Sequence, residues 1–293
     1  MAVLLILLLT VLAGLPDGPG KERDPSQLSR YDLKKKKPLT FTLPSGLREA
    51  SGLAISRDGR LFSHDDEQGV VYEISPADGR LLKRFSLGRL TIDGDFEGIA
   101  IKQDTMFLVS SDGMIYRFRE AGDGEHVRYT TYRTPLSEEN DVEGLEYDEE
   151  TDCLLLACKG AAGLTRKERK EWEDFRAVYE FSLKSGTLNP LPRFLVSLRE
   201  EGGKGKKVTF HPSGIAKHPE SGTFFIVAAD GGLVIELDRE GKLIGSQEYR
   251  KKVNPQPEGI AIGPDRTLYL CNDGQGGKGT LTLFSPSPDC TPE

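Results

Sequence analysis

Short apolar stretches separated by polar, glycine-rich turns run through most of the chain, and five of them begin with one shared phrase. It reads EASGLAI at Glu49–Ile55, DFEGIAI at Asp95–Ile101, DVEGLEY at Asp141–Tyr147, HPSGIAK at His211–Lys217 and QPEGIAI at Gln256–Ile262. The phrase glycines Gly52, Gly98, Gly144, Gly214 and Gly259 are spaced by 46, 46, 70 and 45 residues. After each phrase comes a polar turn, such as SRDGR or HPESG, and then a short apolar run, such as LFSH, CLLLAC or TFFIVAA. An acidic turn follows in most units, and then a segment that alternates apolar and polar residues: VVYEI, MIYRF, AVYEF or LVIEL. Alternation of that kind marks a half-buried strand, and Gly/Asp turns suit hairpins.

A unit of about 40–50 residues built from short strands is the signature of propeller blades. The first four units continue into a fourth strand, as in LLKRFSL and LIGSQEY, whereas the fifth stops at TLTLFS. PLTFTLP at 38–44 is a spare strand just before the first phrase. The pattern predicts an all-β, five-bladed propeller of four-stranded antiparallel blades. The N-terminal strand closes the ring and removes an exposed edge. A six-bladed ring, with a unit hidden in the 70-residue gap, is the alternative.

The expected organisation is a signal peptide or N-terminal anchor at 1–20, a linker at 21–37, one propeller domain at 38–285 and a tail at 286–293. The apolar run AVLLILLLTVLAGL at 2–15 is shorter than the roughly 20 residues of a membrane-spanning helix and fits the apolar region of a secretory signal. Export follows, with the segment cleaved or kept as a weak membrane attachment. Part of the excess in the long gap, GLTRKERKEWEDFR at 163–176, reads as a helical insertion opened by a Thr165/Glu168 capping box. GGKGKK at 202–207 reads as a flexible basic loop. Leu164, Trp172 and Phe175 would anchor the insertion as a partial lid over the mouth.

Composition narrows the partners. A formal net charge of -7 lacks the basic footprint that nucleic-acid binding requires. Four cysteines with no CxxC pair give no zinc site. Cys153 and Cys158 are an odd number of residues apart on one strand, face opposite sides and read as free buried thiols. A monomer is expected.

In a propeller the first strands line the axis, and the loops entering them share one face with the loops joining second to third strands. The third phrase position around the ring is Ser51, Glu97, Glu143, Ser213 and Glu258. The first position is Glu49, Asp95, Asp141, His211 and Gln256, and the acidic turns add Asp65, Asp66, Asp112, Asp230 and Asp273, with Lys159 in the third unit. Carboxylates converging on a narrow mouth need a cation or raised pKa values. Ca²⁺, which takes six to eight oxygens flexibly, suits such a donor set better than Mg²⁺ or zinc. Glu97, Glu143 and Glu258 are the expected metal ligands, with Ser51, Asp112, Ser213 and Asp273 as further mouth residues. A structural role, in which the carboxylates accept backbone amides of the next blade or form a solvated rim, remains open. His64 and His211 are the mouth-side histidines, and no Ser/His/Asp order or GxSxG motif offers a nucleophile.

The ordered set SGLAISRDGRLFSHDDEQGVVYEI, DFEGIAI, VEGLEYDEETDCLLLACKG, PSGIAKHPESGTFFIVAADGGLVIELDREGKLI and PEGIAI resembles the SdiA-regulated (YjiK-like) family of bacterial β-propellers over residues 40–285. The resemblance implies a five-bladed propeller in the periplasm or cell envelope that binds Ca²⁺ at an acidic site, with no established reaction. It points to a binding or scaffold module with a protein or small-molecule ligand at the mouth. The competing expectations are a metal-dependent hydrolase of lactonase or phosphoesterase type, using the same cation as Lewis acid, and a peptide-gripping platform with a structural metal.

Overall fold

The computed structural model describes residues 26–199 and 208–288, so the apolar run at 2–15, GGKGKK and Cys290 lie outside the described residues. It is a five-bladed propeller. Blade 1 comprises Ala50–Ile55, Leu61–Asp65, Val70–Ile74 and Leu81–Leu87, with the two-residue strand His126–Val127 added in parallel to its outer edge. Blade 2 comprises Phe96–Lys102, Thr105–Ser110, Ile115–Arg119 and Tyr129–Tyr132. Blade 3 has Val142–Asp148, Cys153–Cys158 and Phe175–Ser182, whose outer edge is shared by the short strands Thr187–Leu188 and Phe194–Ser197. Blade 4 is Pro212–Lys217, Phe224–Ala228, Leu233–Leu237 and Leu243–Glu248. Blade 5 has Pro257–Ile262, Leu268–Asn272 and Thr280–Phe284, and its outer strand is the N-terminal Leu39–Thr42, paired antiparallel from Leu39–Leu283 to Thr42–Thr280. The spare strand therefore closes the ring, and the long gap holds no sixth blade among the described residues.

Each phrase forms an inner strand, and its glycine is where neighbouring blades come closest. A Cβ on Gly98 would sit 2.8 Å from the Leu145 backbone nitrogen of blade 3, and one on Gly259 would sit 2.7 Å from that of Leu53 in blade 1. Apolar faces of adjacent blades fill the space farther out. Leu155 and Val178 of blade 3, for example, pack with Phe224, Ile226 and Ile235 of blade 4. Burying each such side chain contributes about 1.5–3 kcal/mol.

The helix Arg166–Glu171 falls within 163–176 and opens with Thr165 and Glu168 as a reciprocal capping box. Leu164, Trp172 and Phe175 pack on the blade 3 core. In the segment expected as a linker, Leu28, Tyr31 and Leu33 are buried against blades 4 and 5, and Tyr31 meets the Phe225 ring edge-on at 6.0 Å. Glu236, fully buried, ties that segment down: it accepts from Ser26 Oγ at 2.6 Å, from the amides of Gln27 at 3.2 Å and Leu28 at 2.9 Å, and from Thr223 Oγ1 at 2.7 Å. Cys153, Cys158 and Cys271 are buried free thiols.

Candidate functional site

One local irregularity recurs in all five blades. The pairing of the inner strand with the second strand shifts register between Ala50 and Gly52, Phe96 and Gly98, Val142 and Gly144, Pro212 and Gly214, and Pro257 and Gly259. The residue stepped over is always the third of the phrase: Ser51, Glu97, Glu143, Ser213 or Glu258. A bulge re-aims the side chain it carries, and here it frees five side chains at the axis from the ladder. Glu97, Glu143 and Glu258 line a void of about 10 Å³ together with the phrase glycines, about the size of one water molecule.

The three carboxylates are satisfied unequally. Glu97 Oε2 accepts from Ser51 Oγ of the preceding blade at 2.6 Å. Glu143, buried, accepts from Lys159 Nζ at 2.7 Å. Glu258 Oε1 accepts from Gln256 Nε2, while its Oε2 is buried without a partner. Burial, and then the Glu143 charge, push Glu97 well above the carboxylate range. Burial also raises Glu143, against the pull of Lys159. Glu258 is pushed up to about 8, first by burial and then by Glu143. Burial draws the Lys159 ammonium down, but Glu143 and more distant acids outweigh it, so the lysine stays charged. The Glu143–Lys159 contact thus holds one charge pair, and the repulsion left over is relieved by protons on Glu97 and Glu258.

The remaining expected mouth residues have local work. Ser213 Oγ donates to Pro257 O of the next blade at 2.7 Å and accepts from the Ala229 amide. Asp112 Oδ1 accepts from Ser110 Oγ at 2.6 Å and the Met114 amide, and Asp273 Oδ1 from the Gln275 amide at 2.8 Å, so both brace tight turns. His211 lies 3.4 Å from Asp230. His64 is fully buried with Nε2 unpartnered, and burial lowers its pKa to about 4, which makes it a neutral core group.

Among the described residues, the acidic or ligating atoms that lie within 4.8 Å of one another in a group of three belong to Glu49, Asp65 and Asp66, half-buried at the blade 1 rim. Burial, then Asp65 and Glu49, raise Asp66 to about 6, and its Oδ1 is buried without a partner. Glu97, Glu143 and Glu258 share the axial void but do not form such a group. Sequence reading placed Asp65 and Asp66 in the acidic turn and Glu49 at the phrase start. It did not single out their convergence, which comes from Ala50 pairing with Asp65 across the bulge.

No family model and no curated protein sequence matches the chain. Solved structures do. The glutaminyl cyclase of Myxococcus xanthus aligns with a TM-score of 0.56 at 14% identity, covering 86% of this chain and 96% of that one. A luciferin-regenerating enzyme aligns at 0.52 and 10%, covering 85% and 95%. The PQQ-bound aldose sugar dehydrogenase of Streptomyces coelicolor aligns at 0.51 and 15%, covering 86% and 99%. At these identities the likeness shows the fold alone: the chain is a β-propeller.

Proposed function

We propose that this chain is a divalent-cation-binding propeller of the SdiA-regulated (YjiK-like) kind, serving as a binding or scaffold module in the cell envelope. One observation carries the reading: a buried, unpartnered Glu258 Oε2 stands in a set of three axial carboxylates that faces a single ammonium. Such a set lowers its energy either by taking up protons or by taking up a cation. The donors fit Ca²⁺ in kind. They are all oxygens, Ser51 adds a hydroxyl, and the void admits one water-sized sphere. Glu97, Glu143 and Glu258 would hold the ion, whose charge would replace the protons and join blades 2, 3 and 5 at the axis. The rim trio of Glu49, Asp65 and Asp66 is a second placement on the same acid-rich side of blade 1, favoured by its ligand-distance geometry. The axial void itself has no room for a substrate beside an ion, which weighs against the hydrolase reading.

Export rests on the apolar run at 2–15 and is part of the proposal. No helix of the described residues is long and apolar enough to cross a membrane.

Calcium titration followed by thermal unfolding and calorimetry tests the reading. A ligand that binds only the native state at a hundred times its Kd stabilises it by about 2.7 kcal/mol. Glu258→Gln should abolish that gain if the ion is axial, and Asp66→Asn if it sits at the rim. Absence of any calcium effect on the wild-type protein would refute both placements.

A further inference from the structure

At the other end of the axis the inner strands open into a cavity of about 420 Å³, lined in part by Ile55, Ile101, Tyr147, Lys217 and His218. That volume is within the range of small-molecule sites. The third blade departs here from the repeat. The residue two places after the phrase glycine is Ala54, Ala100, Ala216 or Ala261 in four blades and Glu146 in the third. The fold is thus satisfied by alanine at this position, and the carboxylate is an addition.

Among the described residues, Glu146 is also the one ionisable carboxyl of the cavity wall that makes no ion pair. Arg57 pairs with Glu149, Arg60 with Asp58 and Glu120, and Lys102 with Asp152. Lys217 reaches Asp148 at 2.5 Å and Glu150 at 3.1 Å, Arg239 reaches Glu150 at 3.6 Å, and Arg266 reaches Glu220 at 3.3 Å. His218, whose pKa burial lowers, stacks on Phe225 at 5.8 Å and shares a hydrogen bond with Ser221. No side chain of the described residues bonds or ion-pairs with the Glu146 carboxylate. It is half-buried and reached from the cavity. Burial pushes it up to about 8, against the pull of the Lys217 and Tyr147 backbone amides and the Lys217 charge.

We propose that this cavity binds a small organic cation, an alkylamine or guanidine, whose charge is matched by Glu146. A metal ion is disfavoured because one carboxylate flanked by amide donors cannot supply six oxygens. A polyanion is disfavoured because every wall cation is already paired. The ligand's cationic head displaces the proton of Glu146 and its body fills the space beside Ile55 and Ile101.

The test uses n-butylammonium and methylguanidinium as probes, with n-butanol and butyrate as controls, followed by calorimetry and thermal shift on wild type, Glu146→Gln and Glu146→Ala. The alanine variant carries the residue that the other four blades already have, so its folding is not in doubt. An alkylammonium stays charged up to about pH 10, as a lysine does. Affinity for the wild type should therefore rise about tenfold per pH unit up to the Glu146 pKa and then level off. The charges that act on Glu146 are Lys217 from blade 4 and Asp148 on its own strand, and Arg57, Lys102 and His218 line the same cavity. Burial lowers the His218 pKa, away from this range. Both variants should lose about ten- to a hundredfold in affinity, together with the pH dependence. Saturable binding with those losses supports the site. No saturation by the probes at tens of millimolar, undiminished binding to Glu146→Ala, or equal binding of butanol would overturn it.

Discussion

Raising the pH from 5 to 8.5 in the absence of divalent cations should destabilise this propeller, and Glu258 sets the scale. Its carboxyl has an ordinary pKa of 4.5 in the unfolded chain and about 8 in the native ring. Between those values the native state holds a proton that the unfolded chain has released. Stability is therefore full below about pH 4.5 and falls as pH rises toward 8. Each pH unit costs 1.36 kcal/mol per group, so the interval of about 3.5 units amounts to about 5 kcal/mol. Glu97 shifts in the same direction and steepens the loss, and Glu146 adds to it from the other end of the axis. Urea unfolding in EDTA at half-unit pH steps measures the profile, with Glu258→Gln as the internal comparison. The variant should be flatter and, above pH 7, more stable than the parent. A wild-type stability that is level or rising between pH 5 and 8 would refute the reading of the axis as an uncompensated acid cluster. Under the proposed function, calcium should restore most of the loss at pH 8 and little at pH 5, where protons compete for the same oxygens.

Three further outcomes follow from the geometry. Lys159→Met removes the one ammonium at the axis and should cost about 2–3 kcal/mol at pH 7 in urea unfolding, below the 3–5 of a fully buried pair because the lysine is a third exposed; calorimetry should show tighter calcium binding by the same variant. Gly98→Ala drives a Cβ into the Leu145 backbone of a ring that cannot widen locally, so urea unfolding should show a loss of about 1–3 kcal/mol. Glu236→Ala strands the Ser26 hydroxyl and the Gln27 and Leu28 amides, and trypsin should cut after Arg30 and Lys34–Lys36 well before the blades are cut.

Much of this fold was legible in the chain because a propeller repeats its solution. The phrase glycine recurs wherever two backbones must meet, and the missing fourth strand of the last unit announced the use of Leu39–Thr42. The bulge at the third phrase position was not legible. Its pattern of apolar and polar residues is that of an ordinary strand entry, and only the pairing shows that Glu97 and its equivalents step out of the ladder. Asp112, Asp273 and Ser213 looked like mouth ligands by type and position. Asp112 Oδ1 also accepts from Ser110 and the Met114 amide, Asp273 Oδ1 from the Gln275 amide, and Ser213 Oγ bonds Pro257 O and the Ala229 amide, local work that composition does not reveal. Lys159 was visible as the odd residue among acidic turns, but its role depends on a 2.7 Å contact set by blade packing. The segment 21–37 reads as a polar linker because charged and polar residues dominate it, and the three apolar side chains that dock its described part, Leu28, Tyr31 and Leu33, are too few to show a period.

The closing strand also decides the order of assembly. Thr40 faces Thr282 across the seam, 242 residues away along the chain. The other blades are meanders, blade 1 alone adding the short parallel strand His126–Val127 at its edge, and each can form from a local stretch of chain, but the seam must wait for both ends. Loop closure over that span is slow and its entropy cost is met late. Refolding should therefore end with a ring-sealing step, and pulling on residue 38 should peel the last blade before any other yields.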